Sequence, residues 1–189
     1  MRTKWFTIAA LVFVAALVLF ALASASPAAA QACSALHTTD MATWDMYTGT
    51  QGHYELVDGG LRVWTESNTG NDVVQGSRTL DVPFSTITSA SIDYTATLGT
   101  IPPGIFIFMD TDGDGNWNGV IIGEASYYGA NWWLSSISDQ NMKDHAPHNG
   151  GGYGSPWYGT LAEWNTAFPT TQVVWIGFSL GSGVLGDGV

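Results

Sequence analysis

Ile105-Phe106-Ile107-Phe108-Met109, then Asp110-Thr111-Asp112-Gly113-Asp114-Gly115-Asn116-Trp117-Asn118, then Gly119-Val120-Ile121-Ile122 read as strand, tight acidic turn and strand. The two apolar runs are short and rich in β-branched and aromatic residues, which favours strands over helices. Between them, three carboxylates stand at alternate positions. A tightly curled backbone brings such residues to one point, and Gly115 sits where the curl is sharpest. The same grammar of short apolar runs and Gly, Asn, Asp and Pro punctuation continues along the chain. Tyr54 to Val57 and Leu61 to Thr65 flank the turn signal Asp58-Gly59-Gly60, which predicts a hairpin. Ile92, Tyr94, Ala96 and Leu98 alternate with polar residues, as a half-buried strand would. Ile105 to Met109 and Val173 to Leu180 are nearly unbroken apolar runs, expected as central strands covered on both faces. The predicted fold is all-β: an antiparallel β-sandwich of jelly-roll or concanavalin-like form, with about eight or nine strands at this turn spacing.

One short α-helix interrupts the pattern. Thr160-Leu161-Ala162-Glu163 is a capping-box signature, Trp164 and Phe168 share a face, and Pro169 ends the run.

The first residues have another purpose. Arg2 and Lys4 precede an apolar run from Trp5 to about Leu22, followed by small residues and Pro27. Residues 1–32 therefore read as a secretory signal peptide, with small residues for cleavage in Ala28-Ala29-Ala30 and Ala30-Gln31-Ala32. An uncleaved anchor fits the small-residue tail less well, so no membrane span is expected after cleavage. Residues 33–43 are expected as a flexible lead-in and residues 44–189 as the sandwich domain. Cys33 is the only cysteine, which excludes an internal disulfide and leaves a free, lipidated or intermolecularly bonded thiol. The stretch Gly181 to Val189 reads as flexible after a strongly apolar strand, so a closing strand is expected to be missing.

Charge narrows the partners. Beyond the leader, Arg62, Arg78 and Lys143 stand against 16 acidic residues. Nucleic-acid binding needs basic surface and is excluded as a class. An acidic exported chain that meets divalent cations fits the balance.

The acidic turn points to such a cation. Asp110, Asp112 and Asp114 would supply carboxylates, Asn116 a backbone carbonyl and Asn118 a direct or water-mediated oxygen, which suits calcium. An EF-hand is a poorer match, because its twelfth position is Ile121, where a bidentate glutamate belongs. The expected metal is structural and weakly held, with Kd on the order of 10⁻⁴ to 10⁻³ M. A polar turn that binds nothing is the alternative. Asp139, Asn141 and Asp144 form a weaker oxygen-ligand candidate. His145 and His148 have no third ligand at defined spacing, and read as loop residues.

The order strand, Asp-x-Asp-x-Asp-Gly-x-x-Asn, strand resembles the calcium hairpin of integrin-type FG-GAP repeats, and matches it at Asp110, Asp112, Asp114 and Asn118. One copy implies a metal loop and not a propeller. Gly177-Phe178-Ser179-Leu180-Gly181-Ser182-Gly183-Val184 with Gly186-Asp187-Gly188, the Asp110 loop and the helix from Leu161 to Ala167 together resemble an exported bacterial β-sandwich module of actinobacterial type. That resemblance implies a secreted jelly-roll-like domain on or near a cell surface.

The chain carries nine tryptophans, of which Trp5 lies in the leader. Trp44, Trp64, Trp164 and Trp175 sit in apolar or alternating runs and read as core. Trp117, Trp132 or Trp133, and Trp157 are the candidates for an outward, sugar-stacking surface, with Asn131, Gln140, Asn141 and Asn149 as hydroxyl partners. Among Glu55, Glu66, Glu124 and Glu163, only Glu124 is placed to serve as an acid, and it has no evident partner. The first expectation is a secreted, calcium-stabilised, non-catalytic surface or adhesion module. Polysaccharide binding is the second and a glycoside hydrolase the third. An outward aromatic row would favour the second.

Overall fold

The computed structural model describes residues 38–58, 60–99 and 101–189. The expected signal peptide and Cys33 lie outside them. Among these residues, twelve strands form two antiparallel sheets. The strands are β1 (Asp45–Thr48), β2 (Gly52–Val57), β3 (Gly60–Thr65), β4 (Val73–Pro83), β5 (Ala96–Leu98), β6 (Gly104–Asp110), β7 (Gly119–Gly123), β8 (Asn131–Leu134), β9 (His148–Tyr153), β10 (Ser155–Thr160), β11 (Gln172–Gly181) and β12 (Asp187–Gly188). The large sheet runs β1-β4-β11-β6-β7-β8-β10-β9, and the small one β2-β3-β12-β5. The fold is the expected all-β sandwich. It has more strands than the turn spacing predicts, because β1, β5, β8 and β12 are only two to four residues long.

The small sheet covers part of the large one. Leu61 and Val63 of β3 meet Val74 of β4 and Leu180 of β11 in one buried cluster. The rest of the inner face is covered by helices and turns. Ile107, Met109, Ile121, Trp132, Leu134 and Val173 from the sheet pack with Phe84, Met142, Leu161, Trp164 and Phe168. Met109 and Phe84 are fully buried, and each such side chain contributes roughly 1.5–3 kcal/mol.

Three short helices follow β7: α1 (Ala125–Tyr128), α2 (Gln140–Asp144) and α3 (Leu161–Ala167). The sequence predicts only α3, and its capping box is present. Glu163 N–H donates to Thr160 Oγ1 at 3.3 Å, and Thr160 N–H donates to Glu163 Oε2 at 2.8 Å. Trp164 is buried and donates from Nε1 to the Trp132 carbonyl at 3.0 Å, which pins α3 to β8.

Four expectations change. Only Ala96–Leu98 of the alternating stretch forms a strand, and it is exposed because β5 is an edge of the small sheet. Residues 181–189, expected as flexible, include β12, which pairs with β3 and β5. Thr38–Thr43, within the expected lead-in, form a 3-10 helix. Most consequentially, β6 and β11 are central but covered on one face only. Their other face is apolar because it carries aromatic rings in contact with solvent.

Candidate functional site

Two features stand out, an acidic loop and an aromatic face, and β6 feeds both. The loop spans residues 110–118 at the β6–β7 turn. Its base is closed by Asn118 N–H donating to the Met109 carbonyl at 2.8 Å. Gly113 and Gly115 both take positive φ (79° and 85°), which only glycine adopts cheaply. The curl turns amides inward onto Asp110. Asp110 Oδ1 accepts from Gly113 N at 2.7 Å and Asp112 N at 3.2 Å, and its Oδ2 accepts from Gly115 N at 2.9 Å. Burial pushes the Asp110 carboxyl up, but the amides of Gly113, Gly115 and Asp112 outweigh it and hold it below the usual range. Asp112 Oδ1 accepts from Asp114 N at 3.3 Å, and Asp114 Oδ1 from Asn116 N at 2.7 Å.

Asp110, Asp112 and Asp114 each place one carboxylate oxygen so that the three lie within 4.8 Å of one another. Asp110 is buried and the other two are exposed. Three carboxylates this close repel one another, and such a donor set suits a hard cation. The cluster can hold a metal ion. Asn118 joins the hydrogen bonds of the loop. Its Oδ1 accepts from Thr111 N at 2.6 Å and Thr111 Oγ1 at 3.0 Å, while its Nδ2 donates to Asp112 Oδ2 at 3.2 Å. Through these bonds the side chain braces the loop. Asn116 Nδ2 likewise donates to Asp114 Oδ2 at 3.2 Å.

The weaker oxygen candidate dissolves into helix chemistry. Asp139 caps α2 through Met142 N at 2.8 Å, and Asp144 accepts from Gln140 Nε2 at 2.7 Å. His145 bonds the Asn141 carbonyl and His148 bonds Glu163, so neither histidine completes a metal site.

The second feature is the outer face of the large sheet. Register places Ser77, Gly177, Phe106, Ile122, Trp133, Tyr158 and His148 opposite one another in a line across seven strands. At about 4.8 Å per strand, Phe106 to Tyr158 spans roughly 14 Å. The rings lie low because glycines lie under them. A Cβ on Gly177 would strike the Phe106 ring, one on Gly154 the Trp133 ring, and one on Gly151 the Tyr158 ring. Phe106, Trp133 and Tyr158 are half-buried, so each keeps part of its surface in water.

On one side of this line is a second group. Trp175 packs edge-on to Phe108 with centroids 5.4 Å apart, and Trp117 from the acidic loop does the same from another direction, also at 5.4 Å. At the far end, Tyr153 lies 4.3 Å from Tyr158, and Tyr128 reaches Tyr153 at 6.0 Å. On the other side of the line are polar groups. Gln75 Nε2 donates to Ser179 Oγ at 3.2 Å, and Glu124 Oε2 accepts from Trp133 Nε1 at 2.8 Å. Ser179 pairs with Gly104, whose absent side chain leaves space for Glu124.

The sequence candidates divide on these faces. Trp133 and Trp117 contribute to the outer face. Trp132 is 6% exposed and belongs to the core, because adjacent strand residues point to opposite faces. Trp157 packs against the core, with Lys143 Nζ 5.4 Å from its ring centroid. Asn149 pairs with Trp157, and Gln140 and Asn141 lie on α2, so none of the three joins the aromatic line. Trp175, expected in the core, is 38% exposed. Trp64, also expected there, stacks between His53 and Arg62 on the outside of the small sheet. Phe106 and Phe108 were legible only as strand residues, and Tyr158 only as part of a glycine-rich, loop-like run from Asn149 to Gly159 that in fact forms β9 and β10. Their shared face depends on register, which local sequence does not carry.

Beside Glu124 is a shallow depression lined by Ile101, Pro102, Pro103, Ala125, Ser126 and Tyr127, with Glu124 its one acid. Among the described residues, no helix is long and apolar enough to cross a membrane.

Fold and site together define an antiparallel β-sandwich with an acidic hairpin loop at one end of an aromatic sheet face. Comparison with protein-family models, curated proteins and solved structures finds no match to this chain.

Proposed function

We propose that this chain is a secreted, non-catalytic module that binds polysaccharide on the outer face of its large sheet, with calcium bracing the Asp110 loop. The observation that carries the reading is the line Phe106, Ile122, Trp133, Tyr158, with Trp175 and Phe108 beside it. An aromatic ring half in water can cover the C–H face of a sugar, while neighbouring polar groups bond its hydroxyls. A surface or adhesion module, the first expectation from sequence, does not need such a face. Binding is favoured over hydrolysis because Glu124 is tied to Trp133 and its depression offers no second carboxylate.

The loop supports the same reading. It carries Trp117 and sets that ring against Phe108, so a cation that stiffens the loop also fixes one border of the face. Calcium is the proposed ion because the donors are oxygens on a flexible hairpin.

The test is retention on insoluble polysaccharide. Trp133→Ala and Trp175→Ala should each weaken retention about tenfold, equivalent to about 1.4 kcal/mol. Retention unchanged in both variants, or lost only where melting shows unfolding, would remove the reading.

A further inference from the structure

We infer that the ligand of this face is an uncharged, linear polysaccharide lying across the strands, with its hydroxyls read by Gln75, Ser179 and Glu124. The inference rests on the polysaccharide-binding reading above and adds the chemical class and direction of the chain.

Charge carries the first part. An acidic polysaccharide repeats a carboxylate or sulfate along its length, and a matching site needs cations at similar intervals. None of the three described lysine and arginine side chains reaches the aromatic line, and His148, at its end, is bonded to Glu163. Arg62 lies on the small sheet, where it donates to Glu55 at 2.8 Å and to Asp187 at 2.8 and 2.7 Å. Arg78 pairs with Ile176, so it faces the inner side of β4. Lys143 sits on α2 over Trp157. The 16 acidic residues of the chain would add general repulsion. A cationic polysaccharide would need repeated carboxylates along the line. Asp45 and Glu163 stand only at its two ends, opposite Ser77 and against His148, and of Glu124, which borders the rings themselves, one oxygen already accepts from Trp133.

Geometry carries the second part. Phe106, Trp133 and Tyr158 stand on three strands in one register, each ring over a glycine. The three rings follow one another across the sheet and not along a strand, with Tyr153 and His148 packed against the last of them. A linear chain of pyranose rings laid in that direction meets apolar surface repeatedly. Polar groups lie along the side of the line, where ring hydroxyls project. Gln75 and Ser179 hold each other, and Glu124 is oriented by Trp133. These three therefore present fixed donors and acceptors, a condition for discriminating hydroxyl configuration.

Native affinity gels test both parts with the leaderless chain. The gels contain hydroxyethylcellulose, xylan or galactomannan as neutral probes, polygalacturonate as the acidic one and chitosan as the cationic one. At least one neutral probe should retard the protein, with affinity unchanged between 50 and 500 mM salt, since uncharged contacts are not screened. Trp133→Ala should lose about tenfold and Glu124→Gln about fivefold, while Tyr54→Ala, on the small sheet, should lose nothing. Trp175→Ala serves if Trp133→Ala melts early. Retardation by polygalacturonate or chitosan that persists at 500 mM salt and depends on Trp133 would overturn the inference but leave polysaccharide binding standing. No retardation by any probe would overturn both.

Discussion

The ring of Phe106 packs against Gly177, across the β11–β6 pair. A side chain at position 177 would meet both that ring and the Gly76 carbonyl. Gly177→Ala should therefore lift Phe106 out of the line and strain β4 against β11. Overpacking of this kind costs about 1–3 kcal/mol. Thermal melting should show a fall of several degrees, and sugar affinity should fall with it. A variant that keeps both values would show that Phe106 is not held by this contact.

Val173 and Trp175 separate the two faces more sharply than their spacing suggests. Strict alternation would put both inward, since residues two apart on a strand share a face. A bulge opposite Met109 and Phe108 inserts one residue of β11, so Val173 enters the core and Trp175 faces solvent. Trp175→Ala should then leave melting nearly unchanged while weakening sugar retention. Trp132→Ala removes a core ring and should cost about 3–5 kcal/mol. Paired melting and retention curves distinguish the two tryptophans, and equal destabilisation would refute the assignment of faces.

That bulge also explains what local sequence carries and what it does not. The strands β6, β7 and β11, the capped helix α3 and the acidic triad were legible because each is written in adjacent residues. The Thr160–Glu163 cap and the alternate aspartates need no distant partner. Trp175 was misread because a bulge is invisible in its own strand, and Trp64 because Arg62 and His53 cover it from outside. The bond from Thr111 N–H to Asn118 Oδ1 was not legible from spacing, because it becomes visible only once the loop closes. An apolar run implies burial on both faces only if neither face has a use for apolar surface in water.

Acid should destabilise the fold through two carboxylates in particular. Hydrogen bonds from Arg62 hold Asp187 below its ordinary range against the opposing effect of burial. The Thr160 N–H, then His148 and the Thr160 hydroxyl, do the same for Glu163. A carboxyl depressed in the native state binds protons less readily folded than unfolded. Its contribution is present above the unfolded value and disappears as pH falls through the native one. Melting temperature should hold from about pH 7 to 5 on this account and drop below about pH 4. Arg62→Ala should make the drop shallower, because it removes the chief cause of the Asp187 depression. Thr160→Ala should cost about 1 kcal/mol at neutral pH as a lost helix cap. An acid limb of unchanged slope in Arg62→Ala would place the pH dependence elsewhere.

The acidic loop makes the last prediction. Its three carboxylates converge within 4.8 Å, and the hydrogen bonds they accept come from amides of the loop itself. Those amides are neutral, so they lower repulsion without cancelling it. A bound cation would cancel it and would bind the folded loop alone. Millimolar calcium should therefore raise the melting temperature, by about 1.4 kcal/mol of stability at ten times Kd. For a domain of this size that is about 3–6 °C. Magnesium should do less at equal concentration, since it gives up water reluctantly and demands stricter geometry. The double variant Asp112→Asn, Asp114→Asn should lose the response. In chelator it should melt no lower than the parent, because it relieves the repulsion. Calcium should also change Trp117 emission in the parent if the loop sets that ring against Phe108. A parent that ignores saturating calcium, or a double variant that still responds, would reduce the motif to a polar turn.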